Sequence, residues 1–272
     1  MEDAHSTIDP GRMALLLRVA LVLDLETVGV RFDACDPAPG RAGASTPPAP
    51  LSYCEAVSLA ARGSVVVLDR HVCACETASR ILGFEGGFHD DDFVESYVSV
   101  GLYRDRYVAD RMLAGVPVVA GTGTVTVKPL GEFAPEEPPD VVVLSVTPYA
   151  AMRLIQAAGY HGHAPRGVTI GMHGICAECT AAPYVHGGLT VSTLCSGARH
   201  AGAWDAEHLG VGIPMAILGE VVDGLLDSAQ RYETDARKRE IREGCRRGAR
   251  ASESADERIE ALAPGTSYFT GE

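Results

Sequence analysis

Four cysteines, Cys54, Cys75, Cys179 and Cys195, are the residues of this chain whose type and spacing best suit chemistry. They fall into two pairs, each arranged around a glycine. Cys54 lies nine residues before Gly63 and Cys75 twelve after it; Cys179 lies nine before Gly188 and Cys195 seven after it. In each pair the second cysteine opens a Cys-x-x-Ala sequence, Cys75-Glu76-Thr77-Ala78 and Cys195-Ser196-Gly197-Ala198. Thiolates are soft anionic donors, so four of them suit a metal or an iron–sulfur cluster. The spacing is not that of a zinc ribbon, because Cys176-Ala177-Glu178-Cys179 is a C-x-x-C with no second one to answer it. Nor is it the tight four-cysteine run of bacterial ferredoxins. The site would be assembled from distant segments, with a 4Fe–4S cluster as the expected occupant and zinc as the alternative. Metal-free redox thiols and plain packing of small apolar side chains compete with that reading. Cys73 and Cys176, each within three residues of a favoured ligand, could replace it or act as redox partners.

Two further side chains are candidate catalytic groups. Arg199 follows Cys195 by four residues, where it could hold an anionic substrate bidentately. It could equally be a surface arginine paired with Asp205 or Glu207. His173 could carry protons or ligate metal, and so could His186, but histidines in polar loops are commonly solvated. Gly121-Thr122-Gly123-Thr124 lacks the Gly-Lys-Ser/Thr ending of a phosphate loop. Neither a Ser-His-Asp arrangement nor His-Glu-x-x-His is present.

The elements that must position these residues read as an α/β chain. Apolar spacing predicts a helix over residues 11–24, and β-branched alternation predicts a strand over 27–32. The proline-rich stretch 35–50 reads as loop, Ser52 to Arg62 as a helix, Val65 to Leu68 as a strand, and Cys75 to Gly83 as a second helix. Residues 94–133 read as short β-like pieces and turns. Asp140 to Val146 is a continuous apolar run, typical of a strand covered on both faces, and Thr147-Pro148 then starts a helix. Strand–helix alternation continues through Gly167 to Ile170 and Leu189 to Thr193, and a long amphipathic helix spans Ile213 to Tyr232. The expected fold is α/β, with a mixed, partly parallel sheet, flanking helices and an internal duplication of two related halves. The expected division is 1–134, carrying Cys54 and Cys75; 135–233, carrying Cys179, Cys195 and the long helix; and 234–272, a charged, solvated helical tail.

Composition narrows the partners. The 272 residues carry a net charge of −13, with Lys128 and Lys238 as the two lysines, which argues against nucleic acid. The apolar stretch Met13 to Leu25 is interrupted by Arg18 and Asp24 and follows an acidic start, so neither a signal peptide nor a membrane span is expected. A cytoplasmic location follows, and there eight cysteines favour metal or redox chemistry over disulfides. Cys35 and Cys245 stand apart and read as ordinary residues.

The chain resembles the uncharacterised family known as domain of unknown function 169. The likeness rests on Val28-Gly29-Val30-Arg31-Phe32, Cys54 with Ala60-Ala61-Arg62-Gly63, and Cys75 leading to Leu82-Gly83. It continues in Pro139-Asp140-Val141-Val142, Pro148, Met152, Cys195-Ser196-Gly197-Ala198-Arg199 and Gly212-Ile213-Pro214, running from about Leu15 to about Leu226. The resemblance implies recurring cysteines near 54, 75, 179 and 195 and no settled activity. Glu76 departs from the small residue expected after Cys75.

The expectation is an iron–sulfur protein that performs redox or cluster-assisted chemistry on a small anionic substrate. Cys54, Cys75, Cys179 and Cys195 would bind the cluster, Arg199 would orient substrate and His173 would exchange protons. Partners would be that small molecule, an electron-transfer protein and a second copy of the chain as a homodimer. A metal or redox sensor without turnover, and a metal-free enzyme using Cys195 as nucleophile, are the alternatives.

Overall fold

A computed structural model describes residues 8–34, 49–88, 90–163, 167–168, 173–248 and 256–268. The helices are α1 (Pro10–Leu21), α2 (Tyr53–Ala60), α3 (Glu76–Ile81), α4 (Asp91–Ser99), α5 (Arg106–Leu113) and α6 (Pro148–Tyr160). They continue with α7 (Gly174–Cys176), α8 (Ala182–His186), α9 (Ser196–His200), α10 (Met215–Tyr232), α11 (Asp235–Gly248) and α12 (Glu257–Glu260). A π-helical turn, Ala177–Ala181, joins α7 to α8. The strands are β1 (Val28–Asp33), β2 (Val66–Leu68), β3 (Thr124–Pro129), β4 (Val141–Val146), β5 (Gly167–Val168), β6 (Thr190–Ser192) and β7 (Leu209–Pro214).

The strands form one sheet in the order β2-β3-β1-β4-β7-β6-β5. Helices cover both of its faces. Along β4, Val142, Leu144 and Val146 enter a core with α1, α6 and α10, while Val141 and Val143 enter a second core with α2, the π turn and α9. This period-2 division makes β4 a continuous apolar run. The α6–α10 crossing is close because Gly224 lies against Ala157, where a Cβ would stand 2.4 Å from the Ala157 carbonyl oxygen.

The expected partly parallel sheet needs correction. Six strands, β2-β3-β1-β4-β7-β6, pair antiparallel, and parallel pairing is confined to the two residues of β5 at the edge beside β6. The misreading has a definite cause. β4 and β6 do run in the same direction, as strand–helix alternation implies, but β7 inserts between them with the opposite direction. Helices on both faces then give β4 the composition of a parallel strand.

The two halves share this sheet, since β1 pairs with both β3 and β4. The expected duplication is not reproduced at the cysteines. Cys75 and Cys195 do occupy like positions, each preceding a short helix. Cys54, however, lies in the first turn of α2, whereas Cys179 lies inside the π turn. Residues 94–133 also differ from expectation, because α4 and α5 occupy much of them. Phe93, Val94 and Tyr97 favour strands by type but recur at helical spacing, and Asp90 and Asp105 cap the two helices. The tail is not a solvated helix either: Ile241 and Cys245 of α11 are buried in the core shared with α1. Among the described residues no helix is long and apolar enough to cross a membrane.

Candidate thiol cluster

The core on the α2 face of the sheet gathers six of the seven described cysteines. Cys54, Cys176 and Cys179 are buried in it, and Cys73, Cys75 and Cys195 are half-buried against it. None of the seven forms a disulfide, and Cys35 lies outside the described residues. Burial of this kind is unremarkable for one cysteine. Several thiols within electrostatic reach are a different matter: Cys179 lies within reach of Cys195, and Cys54 has three thiols in reach, those of Cys75, Cys176 and Cys195.

Each is brought in by a separate segment. A capping box fixes the start of α2: Ser52 Oγ accepts from the Glu55 N–H, and the Glu55 carboxylate accepts from the Ser52 N–H at 2.7 Å. That places Cys54 in the first turn, where the single tryptophan of the chain, Trp204, donates from Nε1 to the Cys54 carbonyl at 3.4 Å. Cys75 is the residue before α3. Cys176 ends α7 and donates its thiol to the His173 carbonyl at 3.0 Å.

Cys195 sits in the most constrained backbone. Leu194 before it has φ 67°, the left-handed region that a non-glycine residue seldom occupies, at a cost of roughly 1–3 kcal/mol. The Ser192 hydroxyl holds that turn by accepting the Leu194 N–H at 2.9 Å. Gly174, with φ 44°, presses against Cys195, so that a Cβ there would stand 2.7 Å from the Cys195 nitrogen and 3.0 Å from its Sγ.

The Cys54 and Cys195 side chains shift each other's acidity in opposite directions. Cys54 is raised, first by Cys195 and then by burial. Cys195 is held below the ordinary thiol range, first by Cys54, with help from the Ala198 and Gly197 N–H groups and against its burial. Burial pushes Cys176 well up and Cys73 to about 11.

Cys179 is placed differently from the other predicted ligands. Its sulfur packs against β7, where a Cβ on Gly210 would come 2.7 Å from Sγ, and a Cβ on Gly212 2.1 Å from the Cys179 carbonyl oxygen. The alternation Gly210-Val211-Gly212 bares one face of β7 so that the π turn can lie on it. Burial, together with the neighbouring Glu178, raises the Cys179 thiol, which also bonds to Ser192. Glu178, Tyr53 and Trp204 were not singled out by their types, yet they frame the site. Glu178 is buried and accepts from the Ser192 hydroxyl; the Tyr53 hydroxyl meets Thr180 Oγ1 at 2.9 Å and ties α2 to the π turn. A Glu inside C-x-x-C and a Gly-x-Gly strand were the legible signals. Single π turns often mark functional sites.

His173 is not a solvated loop residue. It is 5% exposed, stacks on Phe88 at 6.2 Å and meets Tyr97 edge-on at 6.0 Å between ring centroids. Its Nε2 is buried without a hydrogen-bond partner, and burial lowers its pKa to about 4. His186 is exposed. Arg199 donates to the Thr193 and His208 carbonyls, both at 2.9 Å, and to that of Asp205, so it clasps the loop leading from α9 to β7. Its backbone partner at Asp205 replaces the expected carboxylate.

Among the described residues, no three His, Cys, Asp or Glu side chains are gathered closely enough to hold a metal ion as they stand. A groove between α1 and α11, lined by Leu15, Arg18, Val19 and Leu23, belongs to the other core and contains no thiol.

The uncharacterized protein MJ0308 of Methanocaldococcus jannaschii is 29% identical over 131 residues, 47% of this chain and 55% of that protein. The chain thus matches little more than half the length of this relative. No solved structure matches the chain. The family described as uncharacterised ArCR, domain of unknown function 169, matches residues 16–224, well over half of the sequence, and the chain belongs to it.

Proposed function

We propose that the protein holds an iron–sulfur cluster through Cys54, Cys75, Cys176 and Cys195 and serves redox chemistry. The observation that carries this reading is an apolar core that holds six thiols, among them Cys75, Cys176 and Cys195 within electrostatic reach of Cys54. Cys176 takes the place expected of Cys179, because the Cys179 sulfur is packed onto Gly210. Four cysteine sulfurs are the usual complement of such clusters.

The electrostatics favour a bound cationic group. Four thiolates in an apolar pocket repel one another, and Cys54 and Cys176 are accordingly raised and hold their protons. Loading releases those protons, and affinity therefore rises with pH. A four-cysteine cluster supplies one-electron transfer. The chain's own groups shape the surroundings: Gly174 and Leu194 fix Cys195, and His173 presents a neutral Nε2 within an aromatic wall. The anionic substrate loses its support, since Arg199 is engaged with three backbone carbonyls. An electron-transfer partner follows from the redox reading, and a sensor without turnover is compatible with the same ligands.

Anaerobic purification followed by iron and acid-labile sulfide analysis tests the proposal. Iron and sulfide in near-equal amounts, with visible absorption that bleaches on reduction, support it. Protein that stays colourless and free of iron and sulfide after anaerobic reconstitution contradicts it.

A further inference from the structure

We propose that the groove between α1 and α11 binds a linear amphipathic zwitterion, a molecule with an ammonium and an anionic group at opposite ends of an apolar chain. The groove holds about 570 Å³, a volume usual for small-molecule sites. Leu15, Val19 and Leu23 give it an apolar floor. Two features keep it open at a cost to the fold. Gly244 stands inside α11, where glycine weakens a helix, yet a Cβ there would meet only the Val19 methyls, at 3.7 and 3.9 Å. That is ordinary contact, so packing does not demand glycine, whereas an open groove does. Val22 caps α1 with φ 52°, a left-handed conformation that β-branched residues resist and glycine adopts freely. Its side chain is 41% exposed and lines the groove. Strain of this kind persists at ligand clamps.

Charge complementarity names the occupant. The two helices run antiparallel: Gly244 lies beside Val19, while Arg237, two turns earlier in α11, donates to the Leu21 carbonyl at 3.0 Å. Arg247 therefore stands toward Leu15, and Glu240 toward Leu23 and Asp24. Arg18 on the wall is already paired with Glu26 at 2.6 Å. Among the described residues neither Arg247 nor Asp24 has an ion-pair partner. One end of the groove thus presents a cation and the other end carboxylates. Glu240 and Arg247 are seven residues apart, two turns on one face of α11, or about 10 Å along its axis. An extended eight-carbon ω-amino acid spans a similar length, with its carboxylate at Arg247 and its ammonium at Asp24 and Glu240. A fatty acid or an alkylamine would satisfy one end alone. The charged groups are exposed, so each pair adds little and the apolar floor supplies the rest of the affinity. No residue of the groove belongs to the thiol core, so the site does not rest on the cluster reading.

The test titrates the full chain with 8-aminooctanoate and follows backbone amides by NMR. Saturable shifts are expected at Val19, Val22, Asp24 and Gly244. Octanoate and octylamine, with one charge each, should bind about threefold more weakly or worse. Gly244→Leu fills the groove and should abolish the saturable shifts while strengthening the helix. Val22→Gly should keep or raise the melting temperature yet weaken binding, a split that a merely structural valine would not give. Arg247→Glu, a change at an exposed position, should weaken 8-aminooctanoate about threefold and leave octylamine no weaker. That variant decides the matter should Gly244→Leu fail to fold. The proposal is overturned if no shift saturates below about 10 mM. Equal affinities for the three probes, unchanged affinity in Arg247→Glu, or full binding in folded Gly244→Leu would overturn it too.

Discussion

Gly174 and Leu194 hold Cys195 from two sides, and each adopts backbone angles that side chains resist. At Gly174 both obstacles coincide: φ is 44°, and a Cβ would stand 2.7 Å from the Cys195 nitrogen. Gly174→Ala should therefore destabilise the protein by roughly 2–4 kcal/mol, as strain and displacement combine. Gly63 offers the comparison, with φ 96° but nothing within 4 Å of an added Cβ. Gly63→Ala should lose about 1 kcal/mol by strain alone. Equal losses for the two variants in urea denaturation would contradict the tight seat at Cys195. His173 makes a second prediction, for the metal-free protein. Its pKa falls from 6.5 to about 4 because burial disfavours the imidazolium. Between those values the unfolded chain binds a proton that the folded chain refuses, so stability falls as pH drops through this window. The loss attributable to this residue approaches about 3 kcal/mol at the acid end. His173→Phe should flatten that part of the pH–stability profile, and an unchanged slope would show that His173 is not held neutral.

At the scale of elements, the site depends on the π turn lying against β7. Gly212→Ala would put a Cβ 2.1 Å from the Cys179 carbonyl oxygen, a contact that backbone must move to relieve. A loss of about 3 kcal/mol or more, or failure to accumulate folded protein, is expected. Gly159→Ala in α6 has open space around it and should be neutral or stabilising by about 0.5–1 kcal/mol. Thermal unfolding of the pair checks this; similar midpoints would remove the close approach from the account. Much of this layer was legible in the sequence. Capping at Ser52 and Thr147, the apolar run of β4 and the long α10 all follow from local rules, and all formed near their expected bounds. Elements governed by distant partners were less legible. The aromatic and β-branched residues of α4 suit strands until Asp90 caps them into a helix. The antiparallel insertion of β7 depends on pairing with β4 and β6, which no local pattern encodes.

For the whole molecule, the sheet separates two cores; of the described cysteines six lie in one of them and Cys245 in the other. That division places all four expected ligands in the same core. Cys75 and Cys195 each precede a short helix, and Cys54 lies in the first turn of one, so strand–helix logic locates them. Cys179 and Cys176 differ by less than one helical turn: Cys176 lies within electrostatic reach of Cys54, Cys75 and Cys195, and Cys179 of Cys195 with its sulfur packed on Gly210. The internal helix pair α6–α10 and the tail helix α11 cover the other face, so a change at the thiols need not disturb that core. The most direct measurement is the iron and sulfide content of anaerobically reconstituted Cys176→Ser and Cys179→Ser, each checked for folding by circular dichroism. The account predicts that Cys176→Ser loses most of its cluster while Cys179→Ser, where folded, keeps most of it. Full content in Cys176→Ser, with loss in folded Cys179→Ser, would contradict it.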